Sequence, residues 1–125
     1  MSTIKEYLTL DHRKCDELFA DMEYKASISL ADAKEIVEKF VAQTERHFQL
    51  EERIVFEEFE QKTGMTQGPT QIMRHEHSQV RNLMKELLDA ISQNNKDKFF
   101  GTSETLMILM QQHNMKEEQM LYPLV

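Results

Sequence analysis

Glycine occurs only 3 times and proline only 2 times in 125 residues. Sandwiches and barrels need many turns, so this scarcity argues against them and favours long helices. Long apolar runs are also missing. The longest, Leu106 to Met110, falls far short of the roughly 20 residues that a bilayer-spanning helix needs. Positive charge is scarce: 15 Lys and Arg stand against 22 Asp and Glu, a net charge of −7. A nucleic-acid binder needs an electropositive footprint, and an anionic membrane surface would repel this chain. Neither nucleic acid nor membrane is therefore expected as a partner. Cys15 is the single cysteine, so no intramolecular disulfide can form. Met1 to Glu6 carries no basic-then-apolar leader, so a reducing cytoplasm is the expected compartment. No Gly-rich phosphate loop, nucleophile elbow, low-complexity tract, domain linker or sequence repeat stands out.

What is present is amphipathic. Apolar residues make up 40% and charged residues 30%, which suits one globular domain over residues 1–125. The breakers fall in three places. Ala26 to Ser29 turns small and polar, with Ser29 placed to cap the next helix and Asp32 three residues on. Between Thr63 and Pro69, Gly64 suits a helix C-terminus and Pro69 a first turn. Around Ser92 to Asn95 the pattern breaks again, with Asn95 as a cap, and Pro123 ends the last segment. Four helices over 3–26, 30–62, 69–93 and 96–122 are thus predicted. The second is long enough to overhang or bend, and Gly101 weakens the start of the fourth. Short loops make consecutive helices antiparallel, which gives an all-α, up-down-up-down four-helix bundle.

The inward seams of those helices are the anomaly. They run Leu8, His12, Cys15, Phe19, Met22, then Val37, Phe40, Thr44, His47, Glu51, Ile54. The third runs Met73, His77, Val80, Met84, Leu87, Ile91, and the fourth Leu106, Met110, His113, Glu117, Met120, Leu124. Four histidines and two glutamates thus occupy core positions, where a carboxylate costs several kcal/mol unless it is paired or binds a metal. They also lie at one height. His12 and His47 stand 16 and 19 residues from a turn at residue 28, and His77 and His113 each stand 18 from a turn at residue 95. At about 1.5 Å per residue, antiparallel packing brings all six into one slab. In His47-x-x-x-Glu51 and His113-x-x-x-Glu117, imidazole and carboxylate share a helix face.

Six mixed nitrogen and oxygen donors exceed the four that zinc prefers. They suit two six-coordinate irons or manganeses bridged by the carboxylates, with positions left for solvent or a small ligand. Single-cysteine usage argues against iron–sulfur clusters. The ferritin-like Glu-x-x-His plan fails, because Thr9, Thr44, Arg74 and Met110 stand three before the histidines. His75-Glu76-His77 lacks the second histidine of the zinc protease motif, where Gln79 stands. His75, about 200° round the helix from His77, is expected to point away from the centre. Cys15 reads as a small buried apolar residue, and Glu52 and Glu118 as flanking residues facing water. Phe48 and Phe56 could wall the site, Met73, Met84 and Met110 could line an apolar pocket, and Tyr122 could hydrogen-bond Glu117.

These residues resemble a known family. Asp11-His12, His47-Phe48-Gln49-Leu50-Glu51-Glu52 continuing to Val55-Phe56, Glu76-His77, and His113-Asn114-Met115-Lys116-Glu117-Glu118 ending in Leu121-Tyr122-Pro123 look like a hemerythrin-type cation-binding domain across the whole chain. The resemblance implies a non-haem di-iron centre, with iron expected ahead of manganese. Glu51 and Glu117 would be its bridging carboxylates, and His12, His47, His77 and His113 its terminal ligands. Oxygen-carrying hemerythrins place two histidines one turn apart on the third helix, where this chain has Met73 and Arg81 beside His77. They also place a carboxylate five residues after the last histidine, not four. The set here is more similar to bacterial domains linked to nitric oxide and oxidative stress, including the group that repairs iron centres, though the cysteine-bearing N-terminal segment common there is missing. The expected function is binding or reaction with O₂, NO or peroxide in sensing, storage or stress defence, with a redox partner protein possible. A metal-stabilised interaction module and an iron-donating repair protein are the alternatives.

Overall fold

The computed structural model describes residues 3–124, and their side chains as far as Pro123. Met1, where the expected absence of a leader was read, Ser2, Val125 and the seam side chain of Leu124 lie outside the described residues. Helix α1 (Ile4–Ile28) opens on a capping box, in which the Thr3 hydroxyl accepts from the Glu6 backbone and the Glu6 carboxylate from that of Thr3. Helix α2 (Lys34–Leu50) passes through a π turn (Glu51–Val55) into α3 (Phe56–Thr63), so the two make one rod. Helix α4 (Pro69–Ser92) is the third rod. Helix α5 (Lys96–Lys116), followed by a second π turn (Glu117–Leu121) and a 3₁₀ turn (Tyr122–Leu124), is the fourth. The rods form the expected four-helix bundle, and there is no strand among the described residues.

The turn residues act largely as their chemistry requires. Pro69 sits in the first turn of α4, and the Asn95 side chain accepts from the Lys98 backbone at 3.0 Å. Ser29 does not cap the second rod. It closes α1 in extended backbone, with its N–H bonded to the Lys25 carbonyl. The second rod begins instead as a 3₁₀ turn (Ala31–Ala33) with no side-chain cap, because buried Leu30 and Ala33 draw the chain directly into the core. Gly64 ends α3 at φ 72°, in the left-handed region that other residues reach only at a cost. Nothing lies within 4 Å of a methyl group placed there. Gly64→Ala should therefore cost about 1 kcal/mol through backbone strain alone. An unchanged urea midpoint at unchanged slope would contradict this.

Two apolar clusters fill the bundle. The larger includes Cys15, Met22, Phe40, Phe48, Val80, Leu87, Phe99 and Leu106, and the smaller Leu8, Val55, Phe56, Phe59, Met73, Leu121 and Tyr122. On α1, α4 and α5 the histidine lies between the two, as His12 does between Leu8 and Cys15, and on the second rod Glu51 does, between Phe48 and Val55. The register beyond the glutamates differs from expectation. Ile54 and Met120 are exposed, at 43% and 68%, whereas Val55 and Leu121 are buried. Each π turn takes in an extra residue and rotates the seam on by one position. The long second rod is thus interrupted by a π turn rather than simply overhanging.

Candidate metal centre

Six side chains meet between the clusters. His12 comes from α1, His47 from the last turn of α2, His77 from α4 and His113 from α5. Glu51 and Glu117 open the two π turns, a place where such insertions re-aim a side chain. All six are buried, with His77, His113, Glu51 and Glu117 fully so. They form two groups of four, each with its ligand atoms within 4.8 Å of one another: His12, His47, Glu51 and Glu117, and His77, His113, Glu51 and Glu117. Both glutamates belong to both groups. Nε2 of His12 and of His113 each lie 3.2 Å from Glu117 Oε1. Nε2 of His47 and His77 lie 3.3 Å and 3.2 Å from Glu51 Oε1.

The outward nitrogen of every histidine meets a carboxylate. Nδ1 of His47 is 3.0 Å from Asp11, that of His77 2.8 Å from Glu52, that of His113 2.8 Å from Glu76, and that of His12 3.2 Å from Glu118. An ionised carboxylate only accepts, so each Nδ1–H donates and each Nε2 is turned inward, the nitrogen a metal would take once it is free of a proton. Each acid is the chain neighbour of an inward residue. Successive helix positions differ by about 100°, so one member of the pair faces the centre and the other faces the next rod. The four links close a ring from α1 to α2, from that rod to α4, on to α5 and back to α1. Glu52 and Glu118 therefore do more than face water. Glu52 also accepts from Arg81, and Glu76 from Lys116 at 2.7 Å.

The inward atoms lack partners of their own. His47 Nε2, Glu51 Oε1 and Glu117 Oε2 are buried with no hydrogen bond. The Nε2 atoms of His77 and His113 stand 3.1 Å apart. With both Nδ1 protons donated outward, two lone pairs face each other there unless a proton or a cation lies between. Two nitrogens bound at about 2.1 Å and a right angle to one ion would be about 3.0 Å apart. Without a cation the site holds protons. Burial alone would lower the His47 pKa, but Asp11 and Glu51 outweigh it and push it up to about 10. His77 is likewise pushed up to about 9 by Glu117 and Glu51 against burial. Burial favours neutral Glu117, yet the hydrogen bonds and imidazoles around it hold its pKa well below the usual carboxylate range. Nitrogen and oxygen donors without thiolate fit a first-row ion such as iron, manganese or zinc.

The family model of the hemerythrin HHE cation binding domain matches residues 3–125. The chain belongs to this family. Comparison with curated proteins found no match, nor did comparison with solved structures. A hemerythrin-type domain binds metal cations, and the two buried His/Glu groups are where this one could hold them.

The surroundings refine the sequence reading. Phe48 and Phe56 do wall the site, stacked on His77 at centroid distances of 3.8 Å and 5.3 Å. Tyr122 Oη lies 3.5 Å from Glu117, but its short hydrogen bond, 2.5 Å, goes to Glu51 Oε2. His75 is exposed. Cys15 is buried, accepts from the Thr44 hydroxyl, and has its thiol pushed up to about 11 by burial, as a packing residue should. Met73 and Met84 belong to the two core clusters, while Met110 also lines a cavity of about 320 Å³ with Cys15 and Phe40. The outer acids were missed as site residues. Their signal was an acid adjacent to a ligand candidate on every rod: Asp11-His12, Glu51-Glu52, Glu76-His77 and Glu117-Glu118.

Proposed function

We propose that this chain is a non-haem di-iron protein whose centre binds or reacts with a small ligand such as O₂, NO or peroxide. The observation that carries the reading is the pair of four-donor groups sharing both glutamates, with three of the inward atoms left without partners. Glu51 and Glu117 would bridge the ions, and two histidines would complete each side. Mixed nitrogen–oxygen ligation favours iron, and four protein donors per ion leave positions open. When bound, a pair of ferrous ions supplies electrons to a small oxidant.

The chain's own residues do the rest. The outer acids lock the imidazoles, so the site is organised before any ion arrives. Phe48 and Phe56 exclude water from the His77 side. The Tyr122 hydroxyl donates to Glu51 and lies 3.2 Å from His12 Nε2, which places a proton donor beside that half. No helix among the described residues is long and apolar enough to cross a membrane; cytoplasmic residence is part of the proposal.

Protein made in iron-replete medium should carry about two irons per chain and show near-ultraviolet charge-transfer bands, the arrangement expected of oxygen-bridged iron. Its reduced form, mixed without air and then exposed separately to O₂, NO and hydrogen peroxide, should change spectrum with at least one of them. Inertness to all three would assign the metal a purely structural role in an interaction module. Transfer of iron to an apo acceptor would favour the repair reading.

A further inference from the structure

The centre is built twice. Asp11, His12, His47, Glu51 and Glu52 recur as Glu76, His77, His113, Glu117 and Glu118, always 65 or 66 positions later. The residues around them break this pseudo-twofold, and they break it in one direction. Facing His77, the seam between α2 and α4 is shut. Arg81 donates to Glu45 at 2.8 Å and to Glu52 at 3.0 Å, and its guanidinium lies 5.4 Å from the Phe48 ring centre. Phe48 covers His77 face to face. Facing His12, the counterparts differ in kind: Asp16 stands for Arg81, Gln111 for Glu45, Asn114 for Phe48 and Tyr122 for Phe56.

The result is a groove of about 510 Å³ between α1 and α5, lined by His12, Arg13, Asp16, Gln111, Asn114 and Glu118 among others. Glu118, the acid that orients His12, makes no ion pair with a guanidinium, although Arg13 lines the same groove, and Asp16, near enough to feel its charge, makes no ion pair among the described residues. Burial raises the Asp16 pKa, with the charge of Glu118 adding to it against His12. Asn114 is 8% exposed, and its carbonyl oxygen Oδ1 has no partner. Two carboxylates and an unpartnered amide oxygen are hard oxygen donors, suited to a hydrated divalent ion rather than to an anion or an apolar guest.

We propose that the α1–α5 seam is a loading port for a hydrated divalent cation such as ferrous iron, with Asp16, Glu118 and Asn114 leading it to His12. The opposite seam, closed by Arg81 and Phe48, admits none. The port rests on the metal-centre reading, and one experiment separates the two. Chelator-stripped protein is mixed anaerobically with ferrous ion, and separately with cobalt(II), and both the rate of uptake and the final stoichiometry are read.

Asp16→Arg copies the closed seam and should slow uptake roughly tenfold or more, because a charged cleft raises on-rates by 10–10³. The end point should still be two ions. Asp16→Asn, a milder change at an exposed position, should slow uptake severalfold and flatten its dependence on salt. Circular dichroism checks that both variants are folded. Uptake at the wild-type rate in both variants overturns the port. Unchanged uptake with slowed reaction toward O₂ or NO would make the groove a passage for neutral ligands, which also overturns it. Failure of the unaltered protein to bind two ions overturns the metal-centre reading itself.

Discussion

Glu51→Ala and Glu117→Ala should each strip both metal positions, whereas His12→Ala and His77→Ala should each leave about one ion per chain. The asymmetry follows from membership. Each histidine serves one group of four, but both glutamates serve both. Losing a histidine removes one nitrogen from one position and leaves the other position its four donors. Losing a glutamate removes an oxygen from both and leaves each with three. The glutamate variants should be less stable than the unaltered protein when metal-free. Glu117 is fully buried, yet the imidazoles around it hold it ionised, and Glu51 and Glu117 in turn hold protons on His47 and His77. Removing either glutamate leaves buried imidazoles short of a counter-charge and also takes away the charge that attracts the cation. Metal analysis after desalting, with circular dichroism as the check on folding, reads the result. Two irons and an unchanged spectrum in His77→Ala would overturn the assignment of that group, and a glutamate variant holding one ion would overturn the bridging role.

Much of this centre could be read from the chain because helical spacing is rigid. Equal distances from a turn put His12, His47, His77 and His113 at one level, and the i, i+4 pairs put Glu51 and Glu117 on the same face. Gly64, Pro69 and Asn95 marked ends because their backbone or side-chain chemistry serves few other purposes. The failures have an equally local cause. A seam extrapolated at 3.6 residues per turn reaches Ile54 and Met120, but a π turn begins at each glutamate and buries Val55 and Leu121 instead. Nothing in a hydrophobic pattern marks a π turn, because its stabilisation comes from where it aims the glutamate. The outer acids escaped for a related reason. Beside an inward residue a glutamate looks like an ordinary solvated one, and only the neighbouring rod, set by tertiary packing, gives Glu52 and Glu118 their histidines. The internal repeat was hidden because it survives at the site residues while the packing around them has diverged, as Phe48 against Asn114 illustrates.

Stability and metal affinity should move in opposite directions with pH. In the metal-free fold His47 titrates at about 10 and His77 at about 9, against 6.5 for an unperturbed histidine. Groups raised in this way contribute stability that is fully present below pH 6.5 and is lost as the pH climbs through their folded values. Chelator-stripped protein should accordingly lose melting temperature steadily from about pH 6.5 upward, with the loss complete by about pH 10. A cation needs the same two nitrogens bare, and each group contains one of them. Binding at neutral pH must therefore expel a proton from each position, about two per chain, and the apparent affinity of each should rise about tenfold per pH unit between pH 7 and pH 9. Proton release can be followed with an indicator dye and affinity by competition with a chelator of known pH dependence. A flat affinity with no proton release would mean that His47 and His77 stand bare at neutral pH. Glu51 and Glu117 would then have no cation between them in the empty protein, and the metal-free bundle should be hard to keep folded at all. A stable apo form with a flat affinity is the combination this site cannot give.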